Sequence, residues 1–116
     1  MLTLPPSTRV FVATQPADLR RGFDGLAALV RDFLKGDPLS GHLFVFRNRR
    51  GDLLKILWWD RDGLAIFSKR LELGTFRFPA DNAVSLEMSA ADLQLVLQGI
   101  DPTKVLRSKR YQRPAA

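Results

Sequence analysis

The sequence predicts an α+β protein: a small antiparallel β-meander with one helix before it and one after it. The first observation is the stretch 41–78, where three apolar runs are separated by two charged turns. The second is a helical spacing of apolar residues in two separate segments that flank this stretch. We predict a single domain over residues 1–101 and a flexible basic tail over residues 102–116.

The meander is predicted to contain three strands. Residues 43–46 (LFVF) are apolar at every position, which is typical of a central strand covered on both faces. Residues 53–59 form the second strand, after a hairpin loop in which Gly51 can adopt a positive φ. Residues 64–71 form the third strand, although a helix over these residues is also compatible with the pattern.

The first helix is predicted over residues 18–34, where apolar residues recur at spacings of three and four. Gly22 and Gly25 each cost about 1 kcal/mol relative to alanine inside a helix. A shorter helix that begins near Asp24 is therefore the alternative. Residues 18–22 would then form a turn that presents Arg20 and Arg21.

Two shorter strands and a second helix complete the prediction. Residues 9–14 are rich in β-branched and aromatic residues, and residues 83–88 alternate as in a half-buried edge strand. Residues 92–100 carry apolar residues at helical spacing, and Ser89 is placed to cap that helix.

The composition excludes several classes of protein. The chain has 116 residues, no cysteine and one histidine, so it has no disulfide and no thiolate metal site. No apolar run approaches the roughly 18 residues that a membrane span needs, and no signal peptide is visible, so we expect a cytoplasmic protein without membrane contact.

The positive charge is concentrated in two places. The net charge is +6, and residues 102–116 carry five bases and no acid. Residues 47–70 carry seven bases against three acids, whereas the remainder of the chain is slightly acidic. Because arginine grips phosphate bidentately, both regions favour nucleic-acid binding. We predict contacts by Arg47, Arg49, Arg50, Lys69, Arg70, Lys104, Arg107, Lys109, Arg110 and Arg113.

No catalytic constellation, metal site or cofactor is predicted. His42 has no cysteine or second histidine to act with, and no glycine-rich phosphate loop is present. Asp52, Asp60 and Asp62 leave open a metal-dependent nuclease, since such enzymes bind Mg²⁺ through carboxylates. The favoured interpretation is that these aspartates shape turns.

Several motifs resemble a known family of proteins. They are the segment 18–26 (DLRRGFDGL), the segment 40–46 (SGHLFVF), the segment 59–63 (WDRDG) and the segment 69–71 (KRL). The sequence is similar, over roughly residues 10–100, to the TnpB-type accessory proteins of the insertion sequence 66 family of bacterial transposable elements, which are unrelated to the RNA-guided nucleases of the same name. Where that family often carries tyrosine, this chain has Trp58.

The resemblance implies an accessory role in transposition beside a separate transposase that carries out the chemistry. The expected partners are DNA at the ends of the element and the transposase of the same element, and a homo-oligomer is compatible with this role. The alternative is a module that docks on the transposase without touching DNA, in which case the run 43–46 and the aromatic residues would supply an apolar interface.

Overall fold

The computed structural model describes residues 5–79 and 81–104, and this part of the chain forms a five-stranded sheet with two α-helices and one 3₁₀ turn. The elements in chain order are β1 (Val10–Ala13), α1 (Phe23–Asp32), β2 (Leu43–Arg47), β3 (Leu53–Asp60), β4 (Gly63–Arg70), β5 (Ser85–Met88), α2 (Ala90–Leu97) and η1 (Pro102–Lys104). The predicted α+β class, with one helix before the meander and one after it, is confirmed.

The sheet is mixed rather than purely antiparallel. Its strand order is β4-β3-β2-β1-β5, and β2, β3 and β4 form the predicted antiparallel meander. β1 adds to β2 in parallel, with Val10 opposite Leu43. The reason is the connection, because α1 lies between β1 and β2 and returns the chain to the end of the sheet where it started. Residues 63–70 form a strand, so the helical alternative for the third run is wrong.

Both helices begin close to the predicted capping residues. α1 takes the shorter of the two predicted forms and begins at Phe23, with Gly22 at its N-cap. α2 begins at Ala90, where the Ser89 side chain accepts a hydrogen bond from the Asp92 N–H at 3.0 Å. None of the helices in the described segments is long and apolar enough to cross a membrane.

An apolar cluster covers each face of the sheet. Leu26, Ala27 and Val30 of α1 pack on one face, which we call the α1 face, and α2 packs on the other, which we call the α2 face. β2 is the middle strand, and its apolar residues alternate between the two clusters. Because residues 43–46 are all buried, this run forms the core and cannot supply the apolar docking surface considered above.

Candidate nucleic-acid interface

The turn between β2 and β3 is organised by one asparagine side chain. Asn48 Oδ1 accepts hydrogen bonds from the N–H groups of Gly51, at 2.9 Å, and Leu53, at 3.1 Å. Asn48 Nδ2 donates to a carboxylate oxygen of Asp52 at 2.8 Å. Gly51 has φ +81°, a conformation that residues with a Cβ rarely adopt. Arg49 and Arg50, at the tip of this turn, are therefore carried by a backbone whose conformation is fixed by hydrogen bonds.

We expect Asn48→Ala to lower the free energy of unfolding by about 1–3 kcal/mol, because it leaves the partly buried Leu53 N–H without its acceptor, whereas the Gly51 N–H keeps the Asn48 carbonyl at 3.1 Å. Chemical denaturation measures this change. Asn82→Ala is the matched control, since Asn82 is exposed, and it should change stability by less than about 0.5 kcal/mol. Equal effects of the two substitutions would contradict this account of the turn.

A groove of about 740 Å³ opens on the α1 face beside this turn. One wall is the segment that precedes α1, and the other is formed by the turn and by the adjoining ends of β3 and β4. Of the lining residues in the described part of the chain, five are basic and one is acidic, so together they carry a net charge of +4. The bases are Arg20, Arg49, Arg50, Lys55 and Arg70, and the acid is Asp18.

The strand register explains why Lys55 and Arg70 share the groove. Lys55 lies opposite Phe46 on β2 and opposite Ser68 on β4. Arg70 is two residues beyond Ser68, and side chains two apart in a strand point to the same face. Lys55 and Arg70 are therefore diagonal neighbours on the α1 face, beyond the apolar residues that contact α1.

An exposed ion pair holds Arg20 at the opposite rim of the groove. The carboxylate of Asp18 accepts two hydrogen bonds from the Arg20 guanidinium, both at 2.9 Å, and one from its backbone N–H at 3.1 Å. The hydrogen bonds from Arg20 lower the pKa of Asp18 to about 2. Asp18 therefore stays ionised and offsets the charge of Arg20, so the net charge of the groove comes from the other four bases.

Asp52 lies at the base of the same turn. Its pKa is lowered, first by the hydrogen bond from Asn48 and then by the nearby charges of Arg50 and Arg70. The hydrogen bond from Asn48 makes Asp52 the turn residue that the sequence predicts. Arg50 and Arg70 both line the groove beside this turn.

Two of the predicted contact residues lie outside the groove. Arg47 Nη2 donates to the Thr14 carbonyl at 3.0 Å, and Lys69 Nζ donates to the Leu97 carbonyl at 2.6 Å. Both side chains are partly buried. The structure therefore brings together Arg49, Arg50 and Arg70, and it places Arg47 and Lys69 in contacts that join elements of the fold.

Of the tail bases predicted to contact DNA, the structure describes only Lys104. Lys104 is exposed at the end of η1, in which Pro102 is buried. The other predicted tail bases lie outside the described residues, and they are Arg107, Lys109, Arg110 and Arg113.

The sequence-based site omitted two residues of the groove, Arg20 and Lys55. The D-x-R spacing is a usable signal for Arg20, because a short acid–base spacing in a turn allows the two side chains to pair. For Lys55, the period of two along β3 places it on the same face as Leu53, which lies opposite Arg70.

The aspartates considered for a metal-dependent nuclease are not gathered at one place. Asp52 precedes β3 and Asp60 ends it, so their backbones are about 26 Å apart at roughly 3.3 Å per residue. Within residues 5–79 and 81–104, no group of three metal-binding side chains is present. His42 accepts a hydrogen bond from the Arg9 N–H through Nδ1 at 3.0 Å, next to the start of β2.

These features define a class: a basic α+β protein with a positively charged groove at one end of a five-stranded sheet. The chain belongs to the family described as IS66 Orf2 like protein, whose model matches residues 8–107. It is therefore an accessory protein associated with the transposition of insertion sequences, as the resemblance in its motifs implied.

Two similar proteins come from Sinorhizobium fredii (strain NBRC 101917 / NGR234). The chain is 45% identical to protein y4jC over 106 residues, which cover 91% of this chain and 90% of y4jC. It is 43% identical to protein y4hO over 114 residues, which cover 90% of this chain and 99% of y4hO. No solved structure matches the chain.

Proposed function

We propose that this accessory protein binds the DNA of its transposable element through the basic groove and carries out no chemistry itself. The observation that supports the proposal is the convergence of four bases on one face. They come from the β2–β3 turn, β3 and β4, and they are Arg49, Arg50, Lys55 and Arg70. The tail bases would add sequence-independent affinity for phosphate.

The chemistry of the groove favours the phosphate backbone over the bases. Guanidinium and ammonium groups bind phosphate oxygens, whereas stacking on unpaired bases requires exposed aromatic rings. Among the residues that the structure describes, no aromatic side chain lines the groove. Trp58 is five residues along β3 from Leu53, so its backbone lies about 17 Å from that of Leu53 at roughly 3.3 Å per residue. The groove thus suits duplex phosphates.

The test is the dependence of DNA affinity on salt. We expect a linear fall of log K with log salt concentration, and the Arg49→Ala/Arg50→Ala variant should reduce the slope by about 1.8 because two phosphate contacts are lost. Its affinity at low salt should fall about 10- to 100-fold. The matched control is Arg31→Ala/Arg77→Ala, which removes two exposed charges outside the groove. If the two variants bind DNA equally well, the groove is not the binding site.

The contribution of the tail is separated by truncation. The chain is cut after Lys104 rather than before Pro102, because Pro102 is buried and its loss would disturb the fold. The cut removes four bases, and its effect on the salt slope should add to that of the groove variant. Unchanged affinity after both alterations would refute the DNA-binding proposal.

Docking on the transposase of the same element is the second proposal. The observation that favours it is the exposure of large apolar side chains that the fold leaves uncovered, such as Phe33 at the end of α1 and Leu73 after β4. Co-purification of the two proteins without DNA, together with no mobility shift by this protein alone, would support docking over DNA binding.

A further inference from the structure

The outer edge of β4 is a long and regular edge strand. β4 pairs with β3 in continuous register over eight residues, from Leu53–Arg70 to Asp60–Gly63, and within residues 5–79 and 81–104 no further strand pairs with its outer side. The other edge strand, β5, has only four residues. Natural proteins protect an edge by shortness, proline, a bulge or charged side chains. β4 is long and has no proline or bulge, and its charged residues are confined to its end, at Lys69 and Arg70.

The backbone groups that β4 leaves unpaired can be identified. The Leu71 N–H donates to the Asp52 carbonyl at 2.8 Å, so Leu71 is on the side of the chain that bonds to β3. Because hydrogen-bonded residues alternate in an antiparallel ladder, the odd-numbered residues of β4 bond to β3. The even-numbered residues direct N–H and C=O groups outward, and they are Leu64, Ile66, Ser68 and Arg70.

Apolar side chains flank this edge on both faces of the sheet. Leu64 and Ile66 are half-buried on the α1 face, and Ala65 and Phe67 are half-buried on the other. Each keeps exposed area that a neighbouring strand would cover. An edge with free backbone groups and apolar flanks is a template for strand addition.

We propose that a second copy of this chain occupies the edge, with the two β4 strands antiparallel about a two-fold axis at Ile66. A two-fold axis that relates neighbouring antiparallel strands must be perpendicular to the sheet, so each face of one copy continues as the same face of the other. The result is a continuous ten-stranded sheet. Ile66 then faces itself, and Leu64 faces Ser68 of the second copy.

Charge complementarity supports this register. Asp62, in the β3–β4 turn, lies opposite Arg70 of the second copy, so the seam carries one acid–base pair at each end. Moving the axis to Phe67 would instead place Arg70 opposite the apolar Leu64. The pairing goes beyond the proposed DNA binding and does not depend on it, although it would present both basic grooves on one face of the dimer.

Sedimentation velocity over a range of concentrations, without DNA, tests the pairing. We expect the wild type to dimerise and Ser68→Pro to raise the dissociation constant at least about tenfold, because proline removes an outward N–H that only the second copy would use. Ser68→Ala retains that N–H and should dimerise like the wild type. A monomeric wild type, or a dimer that the proline leaves intact, would overturn the proposal.

A charge exchange covers the case in which the proline variant fails to fold. Asp62→Arg alone and Arg70→Asp alone should each weaken the dimer about tenfold, because each places like charges across the seam. The double variant Asp62→Arg/Arg70→Asp restores opposite charges and should restore the dimer. Absence of this rescue would overturn the register.

The absence of cysteine allows a third test of the same register. In Ile66→Cys the two introduced residues would be hydrogen-bonded partners with Cα atoms about 5.5 Å apart, a separation that suits a disulfide. In Ser68→Cys they would be about 13 Å apart, too far for a disulfide. Oxidation should cross-link the first variant and leave the second monomeric on a denaturing gel. Equal cross-linking of both variants, or of neither, would overturn the pairing about Ile66.

Discussion

Phe46→Ala is expected to lower the free energy of unfolding by about 3–5 kcal/mol, as is typical when a fully buried phenylalanine is truncated. Phe46 lies on the central strand β2, is 1% exposed and packs in the cluster under α1. Its neighbours on both sides belong to strands that are fixed by their own pairing, so the cavity cannot collapse fully. A loss of this size is a large part of the total stability of a small domain, about 5–15 kcal/mol.

Phe33→Ala is the matched control for this prediction. It makes the same chemical change at the end of α1, where the side chain is 54% exposed. Urea denaturation should show a change below about 1 kcal/mol for Phe33→Ala. If the two variants lose stability equally, the sheet is not packed between its helices as described.

Arg47→Ala and Lys69→Met are each expected to lower the free energy of unfolding by about 1.5–3 kcal/mol and to leave DNA affinity within about threefold of the wild type. Each side chain donates a charged, partly buried hydrogen bond to the carbonyl of a distant element, Thr14 after β1 or Leu97 at the end of α2. At the end of α2 the ammonium group also meets the negative end of the helix dipole.

Comparison with the groove variant Arg49→Ala/Arg50→Ala separates a loss of DNA contacts from a loss of net charge. Arg47→Ala/Lys69→Met and Arg49→Ala/Arg50→Ala each remove two positive charges, so a difference in DNA affinity cannot arise from net charge alone. Arg47→Ala/Lys69→Met should lose stability and keep its DNA affinity. Arg49→Ala/Arg50→Ala should keep its stability and lose DNA affinity. Chemical denaturation and a binding titration at fixed salt measure the two quantities. Similar losses of DNA affinity in both variants would place the interface elsewhere.

Much of the fold follows from local patterns. The run 43–46 predicts a central strand because side chains alternate between the faces of a sheet, and four consecutive apolar residues require cover on both. The position of Gly51 and the Ser89 cap were likewise predictable, because both depend on backbone requirements within a few residues. The parallel pairing of β1 with β2 was not, since it joins segments about 30 residues apart and depends on where α1 packs.

The site was only partly predictable for a related reason. Arg49 and Arg50 were identified correctly as the tip of a turn, which is a local property. Arg47 and Lys69 differ from them only in their tertiary partners, which are 33 and 28 residues away along the chain. Lys55 joins the groove through its register with β4, which the sequence of β3 alone does not specify.

The sequence by itself determined the α+β class, the meander, its charged turns and the family motifs, because periodicity, turn chemistry and short motifs are properties of neighbouring residues. Only the tertiary structure decided which bases lie together. Strand register and the position of the segment before α1 bring Arg20, Lys55 and Arg70 close to Arg49 and Arg50. Arg47 and Lys69 instead donate hydrogen bonds to the carbonyls of Thr14 and Leu97, which are distant in the sequence. Partners far apart in sequence leave no local pattern, so their choice appears only when the chain is folded.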